Sequence, residues 1–353
     1  MREKALALLR AGTVIPAFPL TLNADRSFNE RRQRALIRYY LDAGVGGLAV
    51  AVHTTQFAIR DPKIGLFKPI LHIAREEADA FEARTGKTIL RIAGACGPTA
   101  QAVAEAEYAK SEGYDAVLLS TGGLNDYTVD QLIDRAEQVG RVMPIVGFYL
   151  QPSVGGRVLP YEYWARLCEN PAVIAIKAAP FNRYQTLDVV RAAAMSSRPD
   201  EITLYTGNDD NIVADLLTTY RFTMPDGSVR EKRFDGGLLG HWSMWTKTVV
   251  DMFGMLKAAQ ASEEMPTSLL TLAAEITDCN AAFFDAANRF AGCIPGVHEV
   301  LRRQGLMEGI WCLDPEETLS PGQAEEIDRV YRMYPHLNDD RFVAENLDKW
   351  LNG

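Results

Sequence analysis

The sequence predicts an α/β chain, a (β/α)₈ barrel with appended C-terminal helices. Two observations carry that prediction. Eight short, near-continuous aliphatic runs recur along the first two thirds of the chain, and each is followed by a polar segment of helical period. Strands that are apolar at almost every position are covered on both faces, as in parallel sheets, and eight of them alternating with helices describe a barrel. In order the runs are TVIPAF (13–18), VGGLAVAVH (45–53), TILRIAG (88–94), YDAVLLS (114–120), MPIVGFY (143–149), AVIAIK (172–177), EITLYTG (201–207) and DGGLLGH (235–241).

The helical segments carry their own signals. SFNERRQRALIRYYLDAG (27–44) has Ser27 as its expected N-cap, Glu30 three residues on, and Gly44 as its stop. YRFTMPDGSVREKRF (220–234) breaks the pattern: its polarity alternates around Pro225, Asp226 and Gly227, which predicts a β-hairpin inserted before the eighth strand, over the site mouth or a subunit contact. From residue 244 strand signals stop. MWTKTVVDMFGMLKAAQ, SLLTLAAEITDCNAAFFDAANRF and SPGQAEEIDRVYRMY read as helices. The expected division is a barrel over 1–243 and C-terminal helices over 244–353, the first of them the last barrel helix, with no linker between.

Composition narrows the function. Of 353 residues, 47% are hydrophobic and 24% charged, the balance of an ordinary globular chain. A net charge of −9 without any Lys/Arg-rich run argues against nucleic acid or an anionic membrane as partner. Five scattered cysteines (Cys96, Cys168, Cys279, Cys293, Cys312) form no zinc or redox pair, which fits a reducing cytosol. The opening MREKALALLRAG is too short an apolar run for a signal peptide, and no span of eighteen uncharged apolar residues follows.

Barrel active sites form at the C-terminal strand ends, which directs attention to the last residues of each run. Lys177 closes PAVIAIK, behind five small or β-branched apolar residues. A lysine of ordinary pKa is neutral in roughly one molecule in 2,500 at pH 7, and desolvation raises that fraction. The neutral amine attacks a ketone to form an iminium, an electron sink for making or breaking bonds at the neighbouring carbon. Tyr149 ends the adjacent run and is the expected proton relay. Thr54 and Thr55, after His53, offer hydroxyls and N–H groups to a carboxylate.

Taken together, GTVIPAFPLTLNADRSFN, AGVGGLAVAVHTT, VGFYLQP, VIAIKAA and the tail LSPGQAEEIDRVY resemble the dihydrodipicolinate synthase / N-acetylneuraminate lyase family of Schiff-base aldolases. The resemblance implies Lys177 as the Schiff-base lysine, Tyr149 as the catalytic tyrosine, and Thr54 with Thr55 as binders of an α-keto acid carboxylate. It also implies a homo-oligomer, a dimer or tetramer, and no cofactor. The departures are specific. His53 replaces the usual glycine before the Thr pair, and Gln56-Phe57 the common Gly-Glu. STGGLN (120–125) stands where many members carry a second tyrosine, with Tyr127 as its nearest substitute. Val154 stands where lysine-pathway synthases carry an arginine, and Arg157, three residues later, is the remaining candidate to bind the substrate, with His53 in the pocket wall. The expected substrate is an α-keto acid such as pyruvate or a sugar-derived or hydroxy-keto acid, with Asn125, Asn182 and Asn208 as hydroxyl partners.

Blander readings stand beside these. Lys177 reaches solvent or an ion pair, Tyr149 is a packed aromatic, and the Thr pair caps the next helix. His53 and His241 beside Asp209 make the metal-aldolase alternative, and GNDD (207–210) is a loop and helix start. Besides a lyase or aldolase, a dehydratase or hydrolase on the same scaffold and a non-catalytic keto-acid-binding protein remain open.

Overall fold

The computed structural model describes residues 1–262 and 264–353. Its strands, in chain order, are β1 (Val14–Pro16), β2 (Gly47–Val50), β3 (Leu90–Ala95), β4 (Ala116–Leu119), β5 (Ile145–Tyr149), β6 (Val173–Ala178), β7 (Thr203–Thr206), β8 (Tyr220–Thr223), β9 (Val229–Lys232) and β10 (Phe234–Leu239). Eight of them form one sheet in the order β1-β10-β7-β6-β5-β4-β3-β2, while β8 and β9 pair only with each other. Ala17 pairs in parallel with Ala49, just beyond β1 and within β2, so the two ends of the ladder meet. This is the topology of a (β/α)₈ barrel, and all eight aliphatic runs are its strands. Their residues are buried at nearly every position, as strands covered on both faces must be.

The contacts gather into two compact units, Met1–Thr13 with Leu90–Leu238, and Val14–Ile89 with Leu239–Gly353. The first unit holds the parallel ladder from β3 to β7 and the helices around it. Its N-terminal helix Glu3–Ala11 stops at Gly12, whose φ of 81° and whose hypothetical Cβ, 1.7 Å from the Asp235 carbonyl oxygen, admit only glycine. Arg2 donates through Nε and Nη2 to the two carboxylate oxygens of Asp115 at 3.0 and 2.8 Å, and the Tyr205 hydroxyl donates to Leu9 O at 2.9 Å, which ties that helix to the strands.

The second unit holds β1, β2 and the C-terminal helices. Its helix Glu30–Ala43 corrects the expected cap: Asn29, not Ser27, accepts from Arg32 N, and the Ser27 hydroxyl is spent on Asp25. Glu30 is therefore the first helical residue, and no capping box forms. Gly44 ends the helix in the left-handed conformation, as expected. The helices Thr246–Gln260, Ser268–Phe283 and Gln323–Met333 lie within the three segments read as helical. No helix among the described residues is long and apolar enough to cross a membrane.

The segment 220–234 is a hairpin. Gly227 supplies a positive φ of 83°, and Asp226 Oδ1 accepts from Ser228 N and Oγ, which fixes the turn. Its exposure alternates along both strands, unlike the barrel strands. The hairpin does not lie over the Lys177 end of the ladder. Arg230 Nη1 donates to Ala194 O and Ser196 O at the C-terminus of helix Arg183–Met195, where cations suit the exposed carbonyls. Lys232 Nζ donates to Pro199 O and Ile202 O at 2.5 and 2.6 Å, on the approach to the N-terminal end of β7.

Lys232→Met leaves those two carbonyls without their donor, and a loss of about 1–3 kcal/mol is expected. Urea unfolding reads it as a lower midpoint at unchanged slope. An unchanged midpoint shows that the hairpin is not held by this contact.

Candidate active site

Strand register decides which side chains share the lysine's surroundings. Phe148 pairs with Lys177 across β5 and β6, Tyr149 with Ala178, and Lys177 with Tyr205 across β6 and β7. Residues paired in register project to the same face, and successive residues alternate. Gly147 marks the face covered by helices: a Cβ built on it would lie 3.0 Å from Leu167 Cδ2, on the helix Tyr161–Glu169. Tyr149, Ile176 and Ala178 belong to that face. Val146, Phe148, Ala175, Lys177, Tyr205 and Gly207 belong to the other.

Lys177 is 7% exposed. Its Nζ sits 4.6 Å from the centroid of the Phe148 ring, and it makes no hydrogen bond or ion pair among the described residues. Burial strips water from the ammonium and pulls its pKa down to about 8, against the opposing pull of the Asp209 carboxylate. At that pKa about one amine in ten is neutral at pH 7. Space for the side chain comes from Gly207, where a Cβ would fall 2.5 Å from Lys177 Cε and 2.7 Å from Ala179 Cβ. The buried lysine is thus an amine next to an aromatic face, kept from both solvent and a salt bridge.

Tyr149 is not beside it. The ring stacks on Trp164 at 5.1 Å, within the helix-covered layer, and its hydroxyl accepts from Leu159 N at 3.2 Å. Burial raises its pKa. One residue along a strand reverses the face, and the register sets Phe148, rather than the tyrosine expected as proton relay, beside the amine.

The polar residues expected around the substrate are largely committed within the chain. Arg157 Nη1 donates to Leu124 O and Tyr127 O at 2.6 and 2.9 Å, which braces the loop after β4. Asn208 is fully buried: Oδ1 accepts from Phe181 N, and Nδ2 donates to Thr186 Oγ1 and Asp215 Oδ2. Its amide is a brace and not a free hydroxyl partner. Asn182 caps helix Arg183–Met195 by accepting from Tyr184 N and Gln185 N, while Asn125 is exposed.

In the second unit His53, Thr54 and Thr55 form a single 3-10 turn directly after β2. Both hydroxyls donate to Phe18 O, from Thr54 at 3.3 Å and from Thr55 at 2.6 Å, and Thr55 Oγ1 also accepts from Val52 N. They do not cap the following α-helix, Phe67–Thr85, whose N-cap residue Leu66 provides no side-chain cap. The His53 ring meets Phe57 edge to face. His241 Nδ1 lies 2.6 Å from Asn280 Oδ1, and burial lowers its pKa to about 4, so it is neutral at physiological pH. Among the described residues no three His, Cys, Asp or Glu side chains are grouped to hold a metal ion.

Two site residues escaped the sequence reading, Phe148 and Gly207. Phe148 sits inside the quoted VGFYLQP motif, where only register distinguishes it from Tyr149. Gly207 is legible as a lone glycine closing the strand beside the lysine's.

The fold is a parallel (β/α)₈ ladder with a desolvated lysine near the C-terminal end of its sixth strand, the end at which sites form in barrels of this class. Comparison places it further. Residues 10–219 match the dihydrodipicolinate synthetase family, and the chain belongs to that family. A 4-hydroxy-tetrahydrodipicolinate synthase of Desulforamulus reducens is 24% identical over 211 residues, 59% of this chain and 66% of that protein. The match thus spans just under two thirds of that relative's length. An N-acetylneuraminate lyase from Fusobacterium nucleatum superposes with a TM-score of 0.69 at 19% identity, over 92% of this chain and 99% of that one. A prophage protein of the dihydrodipicolinic acid synthase family from E. coli K12, in complex with pyruvate, gives 0.71 at 17% identity over 92% and 97%.

The depressed pKa makes a stability prediction. Between about pH 8 and 10.5 the unfolded chain holds a proton on Lys177 that the folded chain has released, so stability rises with pH through that window. Below it the cost is fully present, at most about 3 kcal/mol. Lys177→Met, of similar volume, removes the cost. The variant is expected to melt a few degrees higher at pH 7, with the difference shrinking towards pH 10.5. A variant less stable than the parent at pH 7 contradicts the uncompensated burial.

Proposed function

We propose that the protein is a Schiff-base-forming lyase or aldolase acting on an α-keto acid, pyruvate or a sugar-derived keto acid, with Lys177 as the covalent amine. The observation that carries this reading is the Lys177 amine itself, buried, without a hydrogen-bond partner and with its pKa lowered to about 8. Family membership supports it, and so does the pyruvate bound by a structural neighbour. The neutral amine adds to the ketone carbon, water leaves, and the protonated imine draws electrons from the adjacent carbon.

The substrate is not aspartate semialdehyde. A buried carboxylate calls for a charge-assisted partner, and losing a bidentate arginine contact costs on the order of 2–5 kcal/mol. Val154 supplies none, and Arg157 is spent on two backbone carbonyls. A second reading, a keto-acid-binding protein without turnover, is favoured by Phe148 in the place of a proton-carrying tyrosine.

Incubation with pyruvate and borohydride is expected to add the reduced adduct's mass to the peptide spanning Lys177; adducts elsewhere, or none with any of several keto acids, overturn the reading. A panel of keto acids and aldehydes assayed in both directions then separates the two: turnover of one sugar-derived keto acid makes it an enzyme, trapping without turnover a binder, and efficient condensation with aspartate semialdehyde contradicts the exclusion above.

Tyr149→Phe is expected to keep turnover within about tenfold, since the hydroxyl faces Leu159 N rather than the amine. A loss of 10² to 10⁴, the scale of a missing proton-transfer group, restores Tyr149 to the chemistry.

A further inference from the structure

Iminium chemistry needs a group that gives and takes protons at the lysine, and β5 presents an aromatic hydrocarbon there. We propose that Asp209 is that proton carrier. The inference rests on the Schiff-base reading above and names the residue that makes it catalytic.

Asp209 follows the strand that lies against the lysine. Gly207 N donates to Ala178 O at 2.7 Å, and Gly207 itself lies against Lys177 Cε, so the chain leaves β7 at the amine's level. Asp209, 7% exposed, is two residues further on, and its charge opposes the fall of the Lys177 pKa.

Its backbone is held on both sides. The buried Asp215 carboxylate accepts from Thr206 Oγ1 at 2.7 Å, Asn208 Nδ2 at 2.8 Å, Asn211 Nδ2 at 2.9 Å and Arg183 Nη1 at 2.6 Å. Those donors bracket residue 209, and Asn211 N donates to Asn208 O across it. The network expected to recognise a substrate hydroxyl thus fixes the loop that carries the acid. Asp210 next to it faces Arg183 at 3.5 Å, which leaves Asp209 as the carboxylate assigned to the lysine. Ser120 lies on the lysine's side of the ladder, and its hydroxyl accepts from Gly122 N, but it does not titrate near neutral pH.

The steps balance. Neutral Lys177 adds to the ketone carbon, its nitrogen's surplus proton moves to the alkoxide, and a carbinolamine forms. Asp209, carrying the proton that the Lys177 ammonium gives up on becoming neutral, passes it to the carbinolamine hydroxyl, which leaves as water while the nitrogen lone pair closes the C=N bond. The resulting Asp209 carboxylate removes one proton from the carbon next to the iminium, and that C–H electron pair flows to nitrogen as the enamine. Lys177 and the ketone enter, water leaves, Asp209 regains from the α-carbon the proton it gave to the hydroxyl, and no oxidant or further reactant takes part.

The test uses the full chain with pyruvate in D₂O. The wild-type protein is expected to exchange the methyl protons of pyruvate for deuterium, read by proton NMR. Asp209→Asn should slow exchange by about 10² to 10⁴ and still yield the borohydride adduct at Lys177 on long incubation, which also shows that the variant is folded. Asp209→Glu, with the same chemistry on a longer arm, should recover part of the rate. Exchange at the wild-type rate in Asp209→Asn overturns the assignment and leaves the Schiff-base reading standing, as does a wild-type adduct without exchange. Absence of any wild-type adduct removes the Schiff-base reading and this inference with it.

Discussion

Taking the Lys177 amine out of water without giving it a hydrogen-bond partner sets the requirements that its surroundings meet. An ammonium in such a place is costly, and the group responds by lowering its pKa towards neutrality. A carboxylate in direct contact would cancel the effect by holding the proton on. Asp209 opposes the shift without abolishing it, and an aromatic face and a glycine lie against the side chain. A side chain at position 207 would take the volume the lysine needs.

The second constraint is the pleat. With side chains alternating at every residue, the β5–β6 register allows one of Phe148 and Tyr149 to meet the lysine, and the pairing selects Phe148. Gly147 and Tyr149 both look towards the helix Tyr161–Glu169, the glycine against Leu167 and the tyrosine stacked on Trp164. A hydroxyl that accepts from the Leu159 amide is holding a loop. The proton-carrying function is then displaced to the end of β7, where Thr206, Asn208, Asn211 and Asp215 hold the backbone around residue 209.

Most of the fold was legible in the sequence because it rests on burial. Each of the eight aliphatic runs is long enough to identify a strand covered on both faces, and Pro225-Asp226-Gly227 fixes its hairpin by local turn chemistry alone. Lys177 was legible for the same reason, as a charge at the end of an apolar strand. What failed was finer than the period of the pattern. Motif spacing names Tyr149, but which face it takes depends on a pairing with another strand. Ser27 and Asn29 are both good caps, and Asp25 decides between them by taking the serine hydroxyl. Arg157 and Asn208 are the right residue types for ligand recognition, yet backbone carbonyls and Asp215 claim them first. Polar partnerships of this kind are settled by tertiary geometry, which composition and period do not encode.

The central claim is the state of one amine, and it can be measured without any substrate. Lysine side chains labelled with ¹³C at Cε report deprotonation through their chemical shift, and Lys177→Met assigns the resonance by its loss. The account predicts that Lys177 titrates near pH 8, about 8 being the value its burial dictates. A midpoint near 10.4, that of a lysine in water, would contradict it.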